Sequence, residues 1–97
     1  MLVALERFDL RIPGCGSLKE KRHVVKTLSN AIRTKFNVAV AEVDYRDLWQ
    51  RTALGVAAVS GERYHARKVL HEVAKLIERW AEVEVIDTQL TLHYPED

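Results

Sequence analysis

The hydrophobic period of this chain changes in a definite order, and that order leaves few folds open. Residues 2 to 12 place Ala4, Phe8, Leu10 and Ile12 on one side and Arg7, Asp9 and Arg11 on the other, which is the alternation of a half-buried strand. Pro13, Gly14 and Gly16 end that pattern. Ser17, with Glu20 three positions later, is a capping box that opens a helix. Val24, Val25, Leu28, Ala31, Ile32 and Phe36 then recur at steps of three and four, burying one face through about Phe36.

Two short runs rich in strand formers follow, residues 37 to 43 and 52 to 59, joined by the polar segment from Asp44 to Arg51. A second helical pattern begins at Ser60 and Gly61 and turns Val69, Leu70, Val73, Leu76, Ile77 and Trp80 inward. Residues 82 to 94 return to strand character. The order strand, helix, strand, strand, helix, strand predicts an α+β fold, the ferredoxin-like βαββαβ sandwich, with a four-stranded antiparallel sheet and two helices on one face. A sheet covered on one side leaves the other open, and Val3 and Leu5 fall in the register opposite Phe8 and Leu10. That open face is a candidate surface for a homodimer or another protein partner.

At 97 residues the chain is long enough for one domain, and we expect a single domain over residues 1 to 97. Hydrophobic residues at 47% and charged residues at 30% suit a globular chain and exclude disorder. A lone cysteine, Cys15, cannot form an internal disulfide, so a reducing cytoplasm is expected. The N-terminus meets Glu6, Arg7 and Asp9 too early for a signal peptide. No apolar run reaches the roughly 20 residues of a membrane span, so no membrane partner is expected.

Most site chemistries fail on spacing. The turn Pro13 to Ser17 precedes a helix and offers backbone N–H groups to an anion, but one residue between its glycines does not make a nucleotide-binding P-loop. Tight turn and helix cap is the simpler reading. Cys15 has Leu18, not a second cysteine, three positions on, so a soft-metal pair is missing. Lys75 stands where a helical zinc motif starting at His71 needs histidine, and His23, His65 and His93 are scattered. Glu42, Asp44 and Asp47 cluster at the hairpin, and Glu42 and Asp44, two apart, share a side if the strand is regular. Nothing supplies a nucleophile beside them. Acylphosphatases share this length and fold, and Asn37 opens strand two as such an enzyme requires. Residues Arg11 to Ser17 do not match its phosphate loop, so no enzyme, metal or cofactor is expected.

Charge is the informative signal. The whole chain carries a net charge of only +1, yet the first helix concentrates Lys19, Lys21, Arg22, Lys26, Arg33 and Lys35 against Glu20 alone. Such a helix can follow a phosphate backbone, each contact adding salt-dependent affinity; it can equally be a solvated face built from good helix formers. Trp49 with Arg51 in the hairpin is a possible second contact, through stacking on bases or a protein partner, although a core plug is the simpler use of such a tryptophan. Residues 52 to 59 hold no aromatic side chain, so RNA-binding of the type that stacks bases on the sheet is excluded.

The strings Leu10 to Pro13, Ser17-Leu18-Lys19-Glu20-Lys21-Arg22, Phe36 to Asp44, Asp47-Leu48-Trp49-Gln50-Arg51 and Leu54-Gly55-Val56-Ala57 are specific in combination. Taken together they resemble the YlxP-like family of small bacterial proteins. The resemblance implies a cytoplasmic protein of ferredoxin-like fold and no catalytic residues. Such proteins are commonly encoded near translation initiation and ribosome maturation factors, which implies an association with RNA or a ribosomal subunit. The site residues expected on these grounds are Lys19, Lys21, Arg22, Lys26, Arg33, Trp49 and Arg51.

Overall fold

The computed structural model describes residues 1 to 95. Six elements follow one another as β1 (Leu2–Arg11), α1 (Leu18–Lys35), β2 (Ala39–Asp44), β3 (Arg51–Ser60), α2 (Arg63–Glu78) and β4 (Glu84–His93). The strands form one sheet in the order β2-β3-β1-β4, and every neighbouring pair is antiparallel. This is the ferredoxin-like sandwich that the sequence predicts.

Each element ends where its local chemistry runs out. Ser17 Oγ accepts from the Glu20 amide at 3.1 Å, while Glu20 Oε2 accepts from the Gly16 amide at 2.9 Å. The capping box therefore closes, one residue further back than its usual reciprocal bond. Gly14 takes φ 75°, a conformation that favours glycine, and lets the chain turn from β1 into that cap. β2 begins at Ala39, two residues later than the apolar pattern, because the Val38 amide donates to the Phe36 carbonyl in a tight turn. Residues 61 and 62 likewise precede α2, where Ser60 Oγ holds the Glu62 amide at 3.0 Å.

Alternation along β1 sends Leu2, Ala4, Phe8 and Leu10 under the helices, where they meet Leu54, Val56 and Ala58 of β3. α1 adds Val24, Leu28 and Ile32, and α2 adds Ala66, Leu70, Val73 and Ile77, to the same hydrophobic cluster. Fully burying a side chain such as Phe8, Leu54 or Ile77 contributes about 1.5–3 kcal/mol. Glu6 is the one discordant residue in the inward register of β1. β4 is an edge strand with most of its residues exposed, Ile86 and Leu90 among them.

Two bulges break the strict period of two. One lies at Asp9/Leu10 against β4, and the other falls between Glu42 and Asp44 against β3. An extra residue in one strand flips the side chains beyond it to the opposite face. The second bulge decides where the acidic hairpin cluster points.

Candidate functional site

The outer face of α1 is built by helical phase. Lys19, Arg22, Lys26 and Arg33 recur at steps of three, four and seven, so they fall in one row on the solvent side, with His23 and Asn30 beside them. From Lys19 to Arg33 the row is about 21 Å long at about 1.5 Å of rise per residue. All six side chains are exposed. Among the described residues, the ion pairs of the protein are Arg7 with Asp9 and Asp44, Arg11 with Glu84, Lys21 with Glu42, and Lys75 with Glu72. Lys19, Arg22, Lys26 and Arg33 belong to none of them. Other basic side chains, Arg63, Arg67 and Lys68 of α2 among them, also lie outside these pairs, but the α1 row aligns four such cations on one face of a helix whose one acidic residue is Glu20.

Arg33 is partly fixed from below. Its Nη2 donates to the Val40 carbonyl at 2.7 Å and its Nη1 to Asn30 Oδ1 at 3.2 Å, which ties the end of α1 to the start of β2. Arg22 shares a shallow depression with Glu42, Arg46 and Asp47. Arg46 is therefore a further basic side chain beside the row, supplied by the β2–β3 connection; no periodicity in the sequence points to it.

Lys21 is a correction. The charge pattern places it on the exposed basic face, but it is 1% exposed and points the other way. Its Nζ lies 3.0 Å from Glu42 Oε2 and donates to the Tyr45 carbonyl, and Thr52 Oγ1 donates to the same Glu42 oxygen at 2.6 Å. The sequence does carry a signal for this: Lys21 precedes Val24, Leu28 and Ile32 by three, seven and eleven residues, which is the phase of the buried stripe. Counting charges along α1 without their phase assigns Lys21 to the wrong side.

The hairpin carries a second set of corrections. Glu42 and Asp44 do not share a side, because the intervening bulge turns them apart. Glu42 faces α1, and Asp44 faces the open side of the sheet, where Arg7 Nη2 lies 3.1 Å from its Oδ2. The Arg7 guanidinium hydrogen bond holds the Asp44 carboxyl below its usual range, helped by the Tyr45 amide. With both carboxylates engaged in ion pairs on opposite faces, they cannot act together as an acid and base pair.

Trp49 does not fold back as a core plug; it is 51% exposed beside exposed Leu48. Arg51 is drawn instead onto the open face of the sheet, opposite Arg11 in the β1–β3 register, with its guanidinium 4.5 Å from the centre of the Tyr45 ring. Its Nε is buried without a hydrogen-bond partner. Arg51 therefore lies on the side of the sheet away from α1 and is not an extension of the α1 row.

At the first turn, Cys15 is buried and its thiol donates to the Ser17 carbonyl at 3.4 Å. The Glu20 carboxylate already occupies the amide of Gly16, so a bound anion would have to displace a negative charge. No cluster of three metal-ligating side chains occurs among the described residues, and no helix described is long and apolar enough to cross a membrane.

The architecture defines a ferredoxin-like α+β protein whose most distinctive surface is one basic helix. The family model for a "Protein of unknown function (DUF503)" matches residues 3–90, and the chain belongs to this family, the YlxP-like group that its strings resemble. It is 46% identical over 83 residues to "Uncharacterized protein YlxP" of Bacillus subtilis (strain 168), covering 86% of this chain and 90% of that protein. Among solved structures, the de novo designed protein Foldit4 superposes with a TM-score of 0.56 at 9% identity, over 99% of this chain and 100% of that one. A C-terminal segment of the alpha subunit of aIF2 from Pyrococcus abyssi gives a TM-score of 0.50 at 16% identity, over 97% of this chain and 50% of that one. Both likenesses are likenesses of fold.

Proposed function

We propose that this protein is a non-enzymatic binding module that docks on structured RNA, as free RNA or in a ribosomal particle, through the outer face of α1. The observation that carries the reading is the unpaired row of Lys19, Arg22, Lys26 and Arg33. On α1 these four cations stand against Glu20 alone, whose carboxylate accepts from the Gly16 amide, so the net +1 of the chain hides a local concentration of charge. A row about 21 Å long spans several phosphates at roughly 3.4 Å per nucleotide along a duplex strand. Recognition of this kind reads backbone and shape and leaves base edges unread. Arg46 extends the row on the hairpin side; Lys21 takes no part, and Trp49 offers an exposed ring near that hairpin for an unpaired base.

The test is filter binding of an RNA hairpin and of purified ribosomal subunits over a range of salt concentrations. Arg22→Glu and Lys26→Glu should each weaken binding and flatten the dependence of log K on log salt by about one unit. Lys21→Met should leave the slope of the folded protein unchanged. An unchanged slope in both charge reversals, or no binding at low salt, overturns the reading.

A further inference from the structure

The open face of the sheet is not uniform. Across β2, β3, β1 and β4, the register aligns Ala39, Ala57, Leu5 and Thr91 in one row and Ala41, Gly55, Arg7 and Gln89 in the next. On the β2–β3 half, Ala39, Ala41, Gly55 and Ala57 make a floor of minimal side chains, a depression of about 440 Å³. A Cβ on Gly55 would come within 3.0 Å of Val43 Cγ1, so the missing side chain is what keeps this floor low beneath Val43. Beside the trough stands a ridge of Val3, Leu5 and Val59, with Leu5 44% and Val59 69% exposed.

We infer that this face receives the same face of a second copy, the Leu5 and Val59 ridge of each protomer seated in the small-residue trough of the other. A two-fold axis brings a patch against itself, so a patch carrying both a ridge and a trough is complementary to its own copy. Charge does not oppose the pairing. The polar end of the face sets Arg7, Arg11 and Arg51 against Asp9, Asp44, Asp87 and Glu84. Arg7 is paired with both Asp9 and Asp44, and Arg11 lies 3.8 Å from Glu84. With three cations against four carboxylates this end of the face is near balance and slightly acidic, so it repels its copy only weakly and does not attract a polyanion, unlike the outer face of α1.

The area is also sufficient. Four strands about 4.8 Å apart, most of them ten residues long, give a face of about 600 Å² at about 3.3 Å per residue. A face-to-face pair thus covers about 1,200 Å², the lower end of standard specific interfaces. The dimer is accordingly a reversible one, with both α1 rows on its outer surfaces.

Sedimentation equilibrium of the full chain from about 1 μM to about 1 mM, the range of a modest interface, tests this. The wild type should pass from monomer to dimer mass within that range. Leu5→Glu and Ala41→Glu, both on the exposed face, should raise the dissociation constant at least about tenfold, with circular dichroism confirming the fold, while Lys26→Glu should leave it unchanged. A monomer at all concentrations overturns the inference, as does association that persists in both face variants. Loss of RNA binding in Lys26→Glu with dimerisation intact bears on the α1 reading alone.

Discussion

Lys21 Nζ and Glu42 Oε2 lie 3.0 Å apart beneath α1, joining the first helix to the edge strand β2 from inside the protein. The same ammonium donates to the carbonyl of Tyr45, a residue held at φ 60° in the turn after β2. One buried cation thereby fixes the angle of α1, the bulged end of β2 and the hairpin turn. This explains why Arg46 comes to stand beside the α1 row.

Removing one member of that arrangement should be strongly destabilising. Lys21→Met leaves Glu42 and the Tyr45 carbonyl short of a donor, and a buried pair broken on one side costs about 3–5 kcal/mol. Glu42 is 20% exposed, which lowers the expected loss to about 2–3 kcal/mol. Urea denaturation should show that loss, and the double variant Lys21→Met/Glu42→Leu should recover a large part of it. A single variant as stable as wild type would refute the role of this pair.

The helix cap is a second contribution. Ser17→Ala removes the acceptor for the Glu20 amide and should cost about 1 kcal/mol. Because the Lys21 amide donates to the Ser17 carbonyl at 3.1 Å, cap and buried pair share one helical turn, and the two losses should be coupled, the double variant departing from their sum by about 0.5 kcal/mol or more. Thermal melts of the single and double variants check both statements.

Glu6 points under α2, beside Tyr64, Arg67 and Lys68, in a groove also lined by His71 and Leu90. Burial pushes its carboxyl above the usual range, with nearby His71 opposing the shift. A raised folded-state value means that ionised Glu6 costs stability at neutral pH, and that this cost disappears as pH falls below its ordinary value of 4.5. Glu6→Gln should therefore raise the melting temperature at pH 7 and change it little at pH 4. Equal effects at both pH values would contradict the assignment.

Asp44 behaves in the opposite sense. Its hydrogen bond from Arg7 lowers its pKa from an ordinary 3.8, so its contribution is present above that value and is lost as pH falls through the lower folded value. Asp44→Asn should be less stable than wild type at pH 7, and the gap should narrow below about pH 3.8. A gap that is constant across that range means that Arg7 does not depend on the Asp44 charge.

Much of this protein is legible in its local patterns. Phe8 and Leu10 alternate because a strand has period two, and Leu28 and Ile32 recur because a helix has period 3.6; both periods are local properties of the chain. Ser17 and Glu20 mark a helix start because the bonds they make span only a few residues. Lys21 is legible too, since its phase is that of Val24, Leu28 and Ile32, but a count of charges conceals it.

The order of elements, their inward faces and the charge on α1 all follow from the chain read in one dimension, because each depends on neighbours a few positions apart. That Glu42 and Asp44 face opposite ways does not, since a bulge exists only relative to the partner strand β3. The exposure of Trp49, the seat of Arg51 over Tyr45 and the approach of Arg46 to Arg22 likewise belong to the folded state. These are relations between segments far apart along the chain, which no local period encodes. They arise only when the sheet closes and a single buried ammonium finds its partners.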